Sequence, residues 1–217
     1  DIVSFANIII KNKLKKKKKK DLIEHINKNT NDLLFLIDDI IDIAKIEADE
    51  LEINNQPVNI NQLLDDIYCA LNKGKQLQKN PNVDLVLTKD IEGPLTIISD
   101  NYRLKQIIYN LLSNAMKFTH EGTIEYGYRL KTENGKKHLR FFVKDTGIGI
   151  KKGQHQEIFN RFNKLEEDKT KIYSGTGLGL SIAKSLIEKL GGKIWVESEV
   201  GVGSIFYFTH PYYMQKE

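Results

Sequence analysis

The chain has 217 residues, 40% hydrophobic and 29% charged, with a formal net charge of +4 and a single cysteine. That is ordinary globular composition, enough for one large or two modest domains. It excludes an internal disulfide or a multi-cysteine metal site, and no apolar run nears the roughly 18 residues of a membrane span. The opening residues lack the basic-then-apolar pattern of a signal peptide. The expectation is a cytosolic domain, or the cytosolic piece of something larger, with Cys69 as a small core residue.

The positive balance is local. Residues 11–20, "KNKLKKKKKK", hold eight of the 33 basic groups, so the rest of the chain is slightly acidic. A general nucleic-acid surface is therefore not expected. The run itself reads as a solvated hairpin loop or as a contact for an anionic partner. No aromatic residue interleaves it, as a stacking platform would require.

In chain order, Ile2, Phe5 and Ile9 stand at helical spacing before the lysines. Asp21–Glu50 then reads as one long helix, in which Ile26, Thr30, Leu33, Ile37, Ile40 and Ala44 recur at alternating steps of four and three. Leu34 and Ile41 widen this stripe beyond a two-stranded seam. The pattern predicts a helical hairpin that pairs with a second copy, a homodimer through residues 1–50.

From Leu51 the texture changes. "LEIN" alternates like a strand, and Asn59 is a candidate cap for a helix from Ile60 to about Gly74. "VDLVLTKD" and "LTIISD" read as strands, and Asn101–Phe118 as a helix. "TIEYGYRL" and "HLRFFVKD" form a hairpin turning at Asn134-Gly135. Leu178–Leu190 reads as a helix stopped by Gly191-Gly192. "KIWVES" and "SIFYFTH" close a last hairpin. The class is α+β, with helices covering one face of a mixed sheet.

Three stretches carry chemistry. In "HLRFFVKD", Asp145 shares a strand face with Leu139, Phe141 and Val143, so a carboxylate points where core residues point. It is either an acceptor for a ligand amino group, with Gly147 and Gly149 leaving room for a flat ligand, or a strand-end cap on its own turn. On the helix 101–118, Asn110, Asn114 and Lys117 share a face separate from the apolar one. Each Asn costs a helix roughly half a kcal/mol relative to Ala. The face is either a solvated stripe or a set of amide oxygens and an ammonium for Mg²⁺ and phosphate. "GTGLGLSIAK" places glycines 175, 177 and 179 at a helix start, a ready anion site. It follows a polar segment rather than a strand, and no Gly-Lys is followed by Ser or Thr. It is therefore neither a dinucleotide fingerprint nor a P-loop.

"NLLSNAMKFT" (110–119), "DTGIGI" (145–150), "IFNRF" (158–162) and "GTGLGLSIAK" (175–184) resemble, in order and spacing, the N, G1, F and G2 boxes of sensor histidine kinases. "LIDDIIDIAKIEADELEI" (36–53) looks like the end of their dimerisation helix. The resemblance implies a two-layer, gyrase-like ATP-binding α/β sandwich at 51–217 behind an antiparallel helical hairpin at 1–50. By position, it implies that Asp145 binds the adenine amine, with Gly147, Gly149 and Ile150 beside it. It implies Asn114 as a Mg²⁺ ligand, Asn110 and Lys117 on phosphates or metal, and Phe118 bordering the nucleotide. Gly175, Thr176, Gly177, Leu178, Gly179 and Leu180 would wrap the phosphates. A lid over 158–174 would be anchored by Phe159 and Phe162, with Arg161 or Lys164 reaching the γ-phosphate as the catalytic cations.

The family's phosphoacceptor stands in a His-Glu/Asp-x-x-x-Pro motif. None of His25, His120, His138, His155 and His210 has that context. The resemblance thus implies an ATP- and Mg²⁺-dependent histidine autokinase module whose acceptor histidine is missing from this chain, so that the fragment does not autophosphorylate by itself. It also implies a response-regulator receiver domain as partner, no direct nucleic-acid contact, and a cytoplasmic position with any membrane anchor elsewhere in a parent protein. Two other readings compete. An ATP-hydrolysing clamp of the same fold would carry Glu where Asn110 stands, and Asn is no general base. A nucleotide-binding module acting only through dimerisation would not need intact boxes.

Overall fold

The structure is a computed structural model that describes residues 16–75, 82–133, 135–161 and 177–212. The chain divides into two compact units, Asp1–Leu51 and Glu52–Glu217. Among the described residues, no helix is long and apolar enough to cross a membrane.

In the first unit, helix α1 runs from Lys16 to Glu47. It begins inside the lysine run rather than at Asp21, so Lys16–Lys20 are helical and not loop. The intrinsic helix propensity of lysine is high, and here it prevails over the repulsion of like charges at i, i+4 and the unfavourable end of the helix dipole. The helix ends before Glu50 because Asp49 adopts a left-handed conformation (φ 56°). Asp49 N–H donates to Ile46 O and Glu50 N–H to Lys45 O, the double closure of a Schellman motif. Leu33, Leu34, Ile37, Ile40 and Ile41 are all exposed on this helix. The expected first helix, with Ile2, Phe5 and Ile9, lies outside the described residues.

In the second unit, "LEIN" is not a strand. The Asn54 N–H donates to the Asp100 carboxylate at 2.9 Å instead of to a ladder. Strand β1 (Gln56–Asn59) starts later and pairs antiparallel with β3 (Thr96–Ser99). Helix α2 (Ile60–Lys75) is capped by Asn59, whose side chain accepts from Gln62 N–H. Cys69 is exposed on α2, not in the core. The buried face of that helix is built from Leu63, Leu64 and Ile67, and position 69 falls on the other side.

Strand β2 (Val83–Thr88) runs parallel to β4 (Gly122–Glu133), which forms a hairpin with β5 (Lys136–Asp145). Helix α3 (Asn101–Phe118) lies between β3 and β4 in sequence and is capped by Asp100 through Arg103 N–H at 3.0 Å. After two 3-10 turns, Lys152–Gln154 and Glu157–Phe159, come α4 (Gly179–Lys189), β6 (Ile194–Glu199) and β7 (Gly203–Pro211). The main sheet has the order β2-β4-β5-β7-β6.

One sheet face is the core. Ile124, Tyr126 and Tyr128 of β4, Leu139, Phe141 and Val143 of β5, and Phe206 and Phe208 of β7 are buried at alternate positions. Phe141 stacks on Phe208 with ring centroids 4.6 Å apart. Against this face pack the apolar sides of α2, α3 and α4, including Leu104, Ile107, Ile108, Leu111, Leu112 and Ala115 of α3. The second unit is therefore a two-layer α/β sandwich. Two buried tyrosines fasten the layers, with Tyr126 Oη donating to Leu64 O at 3.0 Å and Tyr128 Oη to Asn61 Oδ1 at 2.9 Å.

Candidate functional site

Strand alternation puts Asp145 at the end of β5 on the core side, 6% exposed. Its Oδ1 accepts from Gly147 N–H at 2.9 Å, and the Ser204 N–H also donates to the carboxylate. Burial raises its pKa, and these two hydrogen bonds pull it back down. The turn cap is therefore real. It does not exhaust the group, because an ionised carboxylate has about four acceptor sites.

The glycines beside it have a reason other than open space. A Cβ at Gly147 would lie 2.5 Å from Phe118 O and 2.9 Å from Asp145 Oδ1. A side chain at Gly149 (φ 72°) would collide with Glu199 O. These positions are filled by protein backbone: Gly147 presses the loop onto the C-terminal end of α3, and Gly149 presses it onto the β6–β7 turn. The expectation that they leave room for a ligand is corrected accordingly.

Helix α3 forms a wall with two attachment points. At Phe118 it meets the Gly147 loop. At Asn110 its side-chain amide donates to Gly179 O, the first residue of α4, at 3.1 Å. The separation along the helix is about 12 Å. Asn114 and Lys117 fall between these points on the Asn110 face, half-buried, and the Lys117 ammonium lies 4.6 Å from the centre of the Phe118 ring.

The start of α4 has no side-chain cap, since Leu178 stands at the cap position. Leu178 is buried while Gly177, Gly179 and Leu180 are half-buried. This contrasts with α3, capped by Asp100, and leaves the first N–H groups of α4 to other acceptors. Phe159 is buried and meets Phe206 edge-on at 6.3 Å. Arg161 is exposed. Phe162, Lys164, Gly175 and Thr176 lie outside the described residues.

The β6–β7 hairpin forms as the sequence predicts, but the role of its two serines was not legible there. Ser198 and Ser204 face each other across it, with their hydroxyl oxygens 2.9 Å apart, and Ile150 N–H donates to Ser198 Oγ at 2.8 Å. The only available signal was two serines placed either side of "EVGVG".

A family model described as histidine kinase-, DNA gyrase B-, and HSP90-like ATPase matches residues 99–214. The sensor histidine kinase GacS of Pseudomonas protegens is 37% identical over 209 residues, 96% of this chain and 22% of that protein. The hybrid signal transduction histidine kinase B of Dictyostelium discoideum is 38% identical over 193 residues, 88% of this chain and 10% of that protein. The chain thus spans less than a quarter of either relative. Among solved structures, full-length ShkA in complex with AMPPNP superposes with a TM-score of 0.76 at 26% identity, over all of this chain and 43% of that one. The histidine kinase ThkA in complex with its response regulator TrrA gives 0.65 at 26% identity, over 97% of this chain and 56% of that one. The chain belongs to the family of histidine kinase-, DNA gyrase B- and HSP90-like ATPases, and within it resembles sensor histidine kinases.

Proposed function

We propose that this chain is the ATP-binding part of a histidine autokinase. Residues 52–217 form the catalytic domain, and residues 1–51 belong to the dimerisation helices. The observation that carries the reading is Asp145: a buried carboxylate with spare acceptor capacity, set where the Gly147 loop meets α3. It is suited to accept from the exocyclic amine of adenine. Phe118, Gly149 and Ile150 line the same end.

The donor set also fits Mg²⁺ and phosphate. An amide oxygen is a hard ligand, and Mg²⁺ is commonly held by few protein groups plus phosphate oxygens. Asn114 is the proposed ligand, and Lys117 faces phosphate. Asn110, whose amide already holds Gly179, sets the start of α4 against α3. The uncapped N–H groups of α4, with the preceding glycines 175 and 177, bind the phosphates. Phe159 and Phe162 anchor the lid, and Arg161 or Lys164 reaches the γ-phosphate. Bound Mg²⁺ supplies charge neutralisation at the phosphates; phosphoryl transfer otherwise depends on positioning.

The transfer goes to a histidine outside these residues and on to a receiver-domain aspartate of a response regulator. A membrane anchor, where one exists, belongs to other parts of the parent protein. The ATP-hydrolysing clamp is the weaker reading, because Asn110 cannot activate water. Calorimetric titration with ATP and Mg²⁺ tests the proposal. Binding that weakens in Asp145→Asn supports it, and equal affinity in both proteins defeats it.

A further inference from the structure

We propose that Ser198 is a positioning residue that sets the base-facing wall of this site without touching the nucleotide. The inference rests on the nucleotide reading above and extends it to a hairpin outside the four boxes.

The loop from Gly147 to Ile150 has no ladder or helix of its own. Two of its backbone groups end instead on the β6–β7 hairpin. Gly201 N–H donates to Ile148 O at 2.8 Å, and Ile150 N–H donates to Ser198 Oγ at 2.8 Å. The ring of His155 reaches Ile150 O at 3.2 Å, so side chains satisfy both backbone groups of Ile150.

The valence of the Ser198 hydroxyl is then full. Its single hydrogen goes to Gly203 O at 2.8 Å. The 2.9 Å contact with Ser204 Oγ must therefore be donated by Ser204. With Ile150 N–H, both lone pairs of Ser198 are used. An oxygen so committed cannot serve a ligand; it acts through what it holds. On one side it holds Ile150, the far end of the loop. On the other it holds Ser204, which stands opposite Asp145 in register and donates its own N–H to the Asp145 carboxylate. One hydroxyl thus couples the orientation of Asp145 to the position of the loop beside it. A backbone held this way is already in place when the ligand arrives, so little ordering cost falls on binding.

Ser198→Ala deprives Ile150 N–H, Gly203 O and Ser204 Oγ of one partner each. In the 217-residue chain, titration with ATP and Mg²⁺ should show roughly tenfold weaker binding, the size of one lost hydrogen bond. The preference for ATP over GTP should narrow, because GTP offers a carbonyl where adenine offers the amine. Ser198→Thr, which keeps the hydroxyl, should restore both. Weaker binding of ATP and GTP by the same factor would mean general destabilisation and overturn the inference, as would a folded Thr variant no better than Ala. If Ser198→Ala does not fold, amide exchange in the unmodified chain decides. Ile150 N–H should be protected to the degree of Ser204 N–H, and rapid exchange at Ile150 would overturn the inference. Asp145→Asn separates the two levels. If it binds ATP normally, the nucleotide reading falls; if it binds weakly while Ser198→Ala binds normally, only the role of Ser198 falls.

Discussion

The side-chain amide of Asn110 donates to the carbonyl oxygen of Gly179 across 69 positions of sequence, at 3.1 Å. This bond joins the middle of α3 to the first residue of α4, the two helices that flank the proposed phosphate site. Asn110→Ala should lower stability by about 1 kcal/mol, the net worth of a typical hydrogen bond, as measured by urea denaturation. It should weaken ATP binding as well, since the start of α4 loses its tether. Unchanged stability together with unchanged affinity would show that the bond holds nothing.

Asp145 carries a pH signature. Burial raises its folded-state pKa above the ordinary carboxylate value of 3.8. Its contribution to stability is therefore fully present below that value and is lost as pH rises through the folded pKa. An amine donated by a ligand favours the ionised form, so nucleotide binding should pull the pKa down and release protons at mildly acidic pH. Calorimetry in buffers of different ionisation enthalpy should detect that release, and Asp145→Asn should abolish it along with about 1.5–3 kcal/mol of binding energy.

His210 should act in the opposite sense. It is buried, with Nδ1–H donated to Pro211 O at 2.7 Å and Nε2 accepting from the Ser99 hydroxyl at 2.9 Å. Burial lowers its pKa below 6.5, and the bond to Pro211 opposes that shift. The neutral ring is favoured in the folded state. Its contribution is thus present above pH 6.5 and is lost as pH falls through the folded pKa. Denaturation midpoints should fall over that window, and the fall should flatten in His210→Gln. A ring titrating at 6.5 or higher by NMR would contradict the burial argument.

Asp39 on α1 should titrate near neutrality. Burial, then the charges of Asp42 and Asp38, raise its pKa to about 6. A side-chain carboxyl shift with its midpoint near 6 is expected, and α1 should gain stability as pH falls through that value. A midpoint near 4 would show that the environment does not desolvate it.

On the same helix, Leu33 is 49% and Ile37 44% exposed, in a stripe with exposed Leu34, Ile40 and Ile41, and contiguous exposed apolar patches commonly mark interaction surfaces. The unmodified chain should sediment as a dimer, and replacing both with Glu should give a monomer at the same concentration, with ATP binding retained. A monomeric unmodified chain at high micromolar concentration would defeat the dimer.

What the sequence determined by itself was periodic or local. The α3 stripe at Leu104, Ile107, Ile108, Leu111, Leu112 and Ala115 is buried as its spacing predicts, because a helix turns its apolar residues to one side whatever they pack against. The β4–β5 hairpin, the placement of Asp145 on the core face and the stop of α4 before Gly191 follow from rules spanning a few residues. The order of the boxes carried the family. The ends of α1, the failed strand at 51–54 and exposed Cys69 were not legible, because each depends on a competing partner or on which face of a helix the fold covers. Only the tertiary structure decided why Gly147 and Gly149 are glycines, since the atoms they approach belong to Phe118 and Glu199. The same holds for Ser198, whose role exists only once a hairpin fifty residues downstream folds back onto the loop after β5. Hydrogen bonds between distant segments leave no period in the chain, so the residues that make them look like any other serine or asparagine until the layers are packed.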